Sequence, residues 1–134
     1  MKIGVTGASG FIGKRIVEMG LDRGLEMVAY IRNPSKFGKE LLSKVKVFEG
    51  DLSNAEDSKK FVDYCDVIIH TAALVSDWGA KEDYQKITID GTQALLDQMV
   101  GTNKKIVLAS SVAVYTSNIP KGVCTEDMAF EAPN

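Results

Sequence analysis

Three glycines spaced three apart, Gly7, Gly10 and Gly13, stand in Thr6-Gly7-Ala8-Ser9-Gly10-Phe11-Ile12-Gly13, directly after the short apolar run of residues 2–6. Such glycines permit a tight strand-to-helix turn, close approach of backbone to a pyrophosphate, and close packing of the helix on the strand. The start of the helix adds unpaired N–H groups and the positive end of its dipole. That combination is chemistry for holding a dinucleotide's phosphates. The spacing is G-x-x-G-x-x-G rather than G-x-G-x-x-G, so position carries the argument more than the triplet itself. Further along, Arg32 lies 19 residues past Gly13, with Lys36 following in Arg32-Asn33-Pro34-Ser35-Lys36. A residue that reads the 2′-hydroxyl of NAD at about this distance is Asp or Glu. A guanidinium, a permanently charged fork of donors, suits a 2′-phosphate instead, so the pair predicts NADP over NAD. The alternative is two solvated surface cations.

Other reactive side chains give weaker signals. Cys65 and Cys124 are 59 residues apart with no C-x-x-C pairing, which predicts free thiols and no zinc site. The sole histidine, His70, closes an apolar run. A histidine there is expected to be a hydrogen-bonded packing residue rather than a catalyst.

The elements that must position these groups follow from hydropathy. Apolar runs predict strands at 2–6, 27–31, 45–49, 67–70 and 105–110, with consecutive apolar or β-branched residues as in a parallel sheet covered on both faces. Ile12, Ile16 and Met19 predict a helix over 11–23, with this stripe as its buried face. Tyr84, Ile87, Gly91, Leu95 and Met99 predict the longest helix, over 81–100, stopped by Gly101. Shorter helices are expected at 35–43, after Pro34, and at 54–62, where Ser53 or Asn54 could cap. Alternation of this kind specifies an α/β fold: a Rossmann-type doubly wound parallel sheet of five strands in the order 3-2-1-4-5. The expected organisation is a nucleotide-binding domain over 1–111 and an irregular segment over 112–134, rich in Pro, Gly, Thr, Glu and Asn.

Composition sets outer limits. The 134 residues, 45% hydrophobic and 25% charged, suffice for one compact core and exclude collagen, coiled coil and disorder. Sixteen Lys and Arg against 18 Asp and Glu give a net charge of -2, which argues against nucleic acid as a partner. Apolar runs reach only a few residues, far short of the ~18 that span a bilayer. No basic, apolar and small-residue succession precedes the first strand, so the cytoplasm is the expected compartment.

Five segments in order resemble the N-terminal part of an extended short-chain dehydrogenase/reductase, the NAD(P)-dependent epimerase/dehydratase group. They are the glycine turn; Gly50-Asp51-Leu52; His70-Thr71-Ala72-Ala73; Asp90-Gly91-Thr92 with Leu95-Leu96; and Ser110-Ser111-Val112-Ala113-Val114-Tyr115. Asp77-Trp78-Gly79 resembles the branch of 3β-hydroxysteroid dehydrogenase-like and dihydroflavonol reductase-like members. The resemblance implies that Phe11 and Ile12 offer backbone N–H groups to the pyrophosphate, and that Asp51 and Leu52 hold the adenine. It implies that Ala72 and Ala73 leave room for the nicotinamide ribose. Ser111 then matches the catalytic Ser/Thr that hydrogen-bonds the substrate oxygen.

Two departures accompany these matches. Thr88 stands where family members usually have Asn, three residues before the Gly-Thr pair. The Tyr-x-x-x-Lys that supplies the family's general acid/base is absent from the 134 residues: Tyr30, Tyr64, Tyr84 and Tyr115 are followed at that spacing by Pro34, Ile68, Thr88 and Ile119. The expectation is therefore the dinucleotide-binding part of a longer oxidoreductase or epimerase/dehydratase, inactive in this form, with a small-molecule substrate bound only by the full-length enzyme and a homodimer as a possible assembly. The alternatives are a non-catalytic NAD(P)-binding or redox-sensing module, and an interaction protein that has kept the fold without the ligand.

Overall fold

The computed structural model describes residues 1–76, 78–115 and 125–128. Five strands, β1 (Lys2–Thr6), β2 (Glu26–Ile31), β3 (Lys46–Glu49), β4 (Val67–His70) and β5 (Lys105–Leu108), form one sheet in the order β3-β2-β1-β4-β5. All four pairings are parallel, with Ile3 opposite Met27 on one side of β1 and opposite Val67 on the other. This is the expected doubly wound arrangement, with the order reversing at β1.

Alternation along β2 explains the two layers. Met27, Ala29 and Ile31 point to one face and pack with Val5, Val17, Phe37 and Leu41, while Val28 and Tyr30 point to the other and pack with Phe61, Val62, Ile68 and Leu95. Helices α1 (Phe11–Asp22) and α2 (Lys39–Leu42) supply the first layer, and α3 (Ala55–Tyr64) the second. Asn54 caps α3, its side-chain oxygen accepting from the N–H of Glu56 at 3.0 Å and of Asp57 at 3.4 Å.

Three expectations need correction. The buried face of α1 is Gly13, Val17 and Gly20, with Ile12 exposed. Glycines let this helix lie close on the sheet, so the large apolar residues fall beside the contact rather than in it. The predicted helix over 35–43 is a 3-10 turn, Pro34–Lys36, followed by the single turn α2, because Gly38 at φ +92 breaks the helical path. The predicted helix over 81–100 consists of α4 (Lys81–Tyr84), a π-helical segment (Gln85–Asp90) and α5 (Gly91–Asp97). Its inward residues Gly91 and Leu95 are buried as the periodicity predicts. After β5, Val112–Tyr115 form a 3-10 turn. Asp77, Cys124 and most of the segment expected to be irregular lie outside the described residues.

Candidate functional site

β1, β2 and β4 all end at the same edge of the sheet, where the chain turns away and leaves a crevice. At the exit of β1, Gly7 adopts φ +64, and a Cβ built there would stand 2.9 Å from the N and Cα of Ala72. Only glycine allows both the left-handed turn and that contact. The N–H of Gly10 donates to the carbonyl of Gly7 at 2.9 Å, closing the turn, and α1 starts at Phe11 with Gly10 as its N-cap. Gly13 sits one turn into the helix. A Cβ on it would lie 2.3 Å from the carbonyl oxygen of Gly7, so this glycine sets how closely the helix approaches the turn. Gly10 differs, because its backbone is extended at φ -79 and its nearest obstacle to a Cβ is 3.2 Å away.

A cleft of about 420 Å³ opens above this turn. Its walls bring together Gly7, Gly10, Arg32, Lys36, Asp51, Leu52, Ala72 and Ala73, all singled out from the sequence. Four predicted residues are not among the lining: Phe11 and Ile12, exposed at the start of α1, buried Gly13 beneath it, and Ser111, exposed beyond the end of β5. Ser9, Tyr30, Ile31, Asn33, Thr71 and Ile87 line the cleft without having been predicted. For Tyr30, Ile31 and Thr71 the available signal was adjacency to a strand end, and for Asn33 its place between the two cations. A second concavity of the same size, between α1 and α2, is lined by Lys14, Glu18, Asp22 and Lys44 among others. It lies away from the strand ends and combines charges of both signs.

At one end of the cleft, the Asn33 side chain accepts from the Ser35 N–H at 3.0 Å and from its hydroxyl at 2.7 Å. This Asx-turn bends the chain after β2 so that Lys36 returns toward Arg32. Asp51 makes a matching turn, one of its oxygens accepting from the N–H of Ser53 at 2.9 Å and from the Ser53 hydroxyl at 2.8 Å. These two bonds, the backbone one foremost, hold the Asp51 carboxyl below its ordinary range, with Arg32 and Lys86 adding positive potential. Asp51 is therefore an anion at neutral pH with its second oxygen available. The Ser58 hydroxyl donates to the carbonyl of Leu52 at 3.0 Å and fixes the adjoining wall. Beneath it, burial pushes the Tyr30 phenol up to about 12, with Asp57 and Asp51 contributing.

At the other end, the Thr71 hydroxyl donates to the carbonyl of Thr6 at 2.7 Å, and the Ala72 N–H reaches the Thr6 hydroxyl at 3.4 Å. The exit of β4 is thereby stitched to the exit of β1. His70 is buried here, and burial lowers its pKa below the ordinary imidazole value, which favours the neutral ring.

A glycine turn at the switch point of a parallel sheet, with an ionised Asp at the end of β3 and small residues at the end of β4, is the ground on which comparison with known proteins becomes informative. The family model for the NAD dependent epimerase/dehydratase family matches residues 3–134. The chain belongs to this family. It is similar to a 3-beta-hydroxysteroid dehydrogenase of Mycolicibacterium neoaurum, 33% identical over an alignment of length 119 that covers 82% of this chain and 32% of that one. It is similar also to 3 beta-hydroxysteroid dehydrogenase type 7 of Rattus norvegicus, 32% identical over a gapped alignment of length 140 that covers 96% of this chain and 41% of that one. Among solved structures, a short-chain dehydrogenase/reductase superfamily protein from Agrobacterium tumefaciens with bound NAD superposes with TM-score 0.81 and 26% identity, over 100% of this chain and 40% of that one. UDP-glucuronic acid 4-epimerase from Bacillus cereus, in complex with NAD, gives TM-score 0.80 and 28% identity, over 100% of this chain and 47% of that one. The chain thus spans between about a third and a half of the length of these relatives. The family and the Rossmann-type sheet are as the sequence predicts.

Proposed function

We propose that this chain is the dinucleotide-binding part of an NAD(P)-dependent oxidoreductase or epimerase/dehydratase, and that it prefers NADP(H). The observation that carries the reading is a single cleft uniting the glycine turn, Asp51 and the cations Arg32 and Lys36. In this reading the N–H groups of Phe11 and Ile12 receive the pyrophosphate at the start of α1. The available Asp51 oxygen accepts from the adenine amine, with the Leu52 backbone against the ring. Ala72 and Ala73 form the wall at the nicotinamide ribose, and Ser111 contributes a hydrogen bond to substrate in the full-length enzyme. The bound cofactor supplies hydride transfer; these residues bind and orient it.

The family's description and the cited structures concern NAD, whereas Arg32 occupies the place of a 2′-hydroxyl-reading carboxylate. A guanidinium gains nothing from a hydroxyl that it would not gain from water, but a 2′-phosphate gives it charge-assisted bonds. Calorimetry at moderate salt is expected to give tighter binding of NADPH than NADH. Arg32→Ala should weaken NADPH about tenfold, the order of one charge-assisted hydrogen bond, with little effect on NADH. Equal affinities in the parent chain, or an equal loss for both nucleotides in the variant, refute the NADP assignment. Gly10→Val should abolish binding of both nucleotides, since the side chain would project into the phosphate path and its Cβ would press on the Gly7 carbonyl oxygen at 3.2 Å.

A further inference from the structure

His70 lies at the centre of a hydrogen-bonded chain whose proton positions can be worked out from bond counts. Its Nδ1 is 2.7 Å from the Thr6 hydroxyl, and its Nε2 is 2.9 Å from the Thr92 hydroxyl. Thr92 also donates to the carbonyl of Thr88 at 2.5 Å. A hydroxyl has one proton, so Thr92, having given it to Thr88, can only accept from the ring. Nε2 therefore carries the ring proton. Nδ1 is then the bare nitrogen, and the Thr6 hydroxyl donates to it while its lone pairs face the Ala72 N–H. A ring protonated on both nitrogens would leave the Thr6 proton pointing at another donor. Beyond Thr88 the chain continues: the Thr88 hydroxyl accepts from the N–H of Leu74 at 3.0 Å.

The chain of bonds connects three elements that share no covalent neighbourhood: the end of β1, the exit of β4 with residues 71–74, and the π-helical segment running into α5. π-helical turns of this kind recur at functional sites, and here the segment carries the hydroxyl that holds Leu74. The product of the brace is a fixed distance between Ala72 and the phosphate turn, where Gly7 already rests on the Ala72 backbone.

We propose that His70 is a positioning residue for the dinucleotide: as a neutral ring protonated on Nε2, clamped between Thr6 and Thr92, it holds the Ala72–Ala73 wall in register with the glycine turn. This rests on the dinucleotide reading of the cleft, and it goes beyond that reading by assigning a task to a side chain that does not line the cleft. The brace acts on the end of the cleft next to β4. The end formed by Arg32, Lys36 and Asp51 contributes no bond to the brace and meets it only through Lys86, whose charge acts on Asp51.

Two measurements on the full chain test the proposal. Because His70 is the only histidine, the imidazole nitrogen spectrum of uniformly 15N-labelled protein has a single assignment. At neutral pH it should show a proton on Nε2 and a bare Nδ1; a proton on Nδ1 alone, or on both nitrogens, overturns the brace. Next, Thr92→Val removes the acceptor and the donor, while Thr92→Ser keeps both. With both variants assayed well below their melting temperatures, Thr92→Val should weaken NADPH about tenfold, as loss of a buried polar partner implies, and speed hydrogen exchange at Ala72 and Leu74. Thr92→Ser should restore both. Adenosine 2′,5′-bisphosphate, which spans the Arg32 and Asp51 end and the glycine turn but stops short of the Ala72–Ala73 wall, should bind parent and Thr92→Val alike. If Thr92→Val binds NADPH as the parent does, or loses the bisphosphate equally, the positioning role is wrong. A parent chain that binds neither NADPH nor NADH refutes the dinucleotide reading itself, and the tautomer and Ala72 exchange then decide the existence of the brace separately.

Discussion

Side chains around this cleft are governed by what else they are bonded to. Asp51 is a turn-former and an available carboxylate at once, because Ser53 engages only one of its oxygens. By bond geometry the Tyr30 hydroxyl is the only buried side-chain polar atom among the described residues without a hydrogen-bond partner; the Ser58 oxygen beside it keeps lone pairs after donating to Leu52 and draws the phenol pKa down a little, but falls outside hydrogen-bonding geometry. The ring of Tyr30 meanwhile packs on Phe61 with centroids 4.9 Å apart. Removing an unsatisfied hydroxyl relieves a desolvation cost and leaves that packing intact. Tyr30→Phe is therefore expected to be neutral or stabilising by up to about 1 kcal/mol in urea denaturation, and a clear loss would show that the hydroxyl has a partner in solution. His70 gives a pH signature. Its folded pKa is lowered by burial while the unfolded chain titrates near 6.5, so the unfolded state binds more protons in the window below that value. Stability is full above pH 6.5 and falls as pH drops through it toward the folded value. Asp51 and Asp66, whose carboxyls are held below 3.8, change stability in the same direction, but only in more acidic solution. Unfolding free energies measured between pH 7.5 and 5 should thus slope downward on acidification, and His70→Gln should remove the slope.

Elements of this fold were readable from the sequence wherever a local rule was sufficient, and unreadable wherever tertiary contacts decided. The five strands, their order, and a cap at Ser53 or Asn54, of which the structure uses Asn54, follow from apolar runs, right-handed crossovers and capping chemistry. The burial face of α1 did not, because the pattern that matters is glycine at 13 and 20 on either side of Val17, and a hydropathy reading favours Ile12 and Ile16. In the same way nothing in the periodicity of 81–100 marks the π-helical segment, which is tied to Thr88, Thr92 and the ring of His70 from a distant strand. Glycines at a close-packed contact have a testable consequence. A methyl on Gly13 would press on the Gly7 carbonyl at 2.3 Å, on the Gly7 carbonyl carbon at 2.8 Å and on the Cα of Ala8 at 2.9 Å, all of them backbone atoms that cannot rotate away. Gly13→Ala should cost at least ~2 kcal/mol in thermal or urea unfolding, against the gain in helix propensity that alanine brings elsewhere. It should also disable dinucleotide binding by displacing the turn. An unchanged melting temperature would mean that α1 can slide outward freely.

At the scale of the molecule, the sheet, two helical layers and a cleft at one edge form a binding unit whose chemistry can be judged by its acids and bases. β5 ends the sheet with Val107 and Leu108 each 56% exposed, and Ser111 follows on the surface rather than in the cleft. Proton transfer during carbonyl reduction needs a group whose pKa lies near the working pH. Burial pushes Tyr30 and the Cys65 thiol up to about 12, so neither gives or takes a proton readily at pH 7. His70 titrates in a useful range only when free, and here both ring nitrogens are engaged by threonines. No tyrosine in the 134 residues has a lysine four positions later. Binding without turnover is therefore the expected behaviour. Purified chain mixed with NADPH and a panel of aldehydes, ketones and nucleotide sugars should show calorimetric binding of the nucleotide and no loss of reduced-nicotinamide absorbance above the buffer rate, with no sugar epimerised. Oxidation that disappears in Ser111→Ala would reveal a general acid outside the set considered, and oxidation that disappears in His70→Gln would mean the threonine clamp opens in solution. If joining the chain to a downstream segment that carries a Tyr-x-x-x-Lys pair creates turnover, and Ser111→Ala then lowers it, the exposed serine beyond β5 acquires its role from that segment.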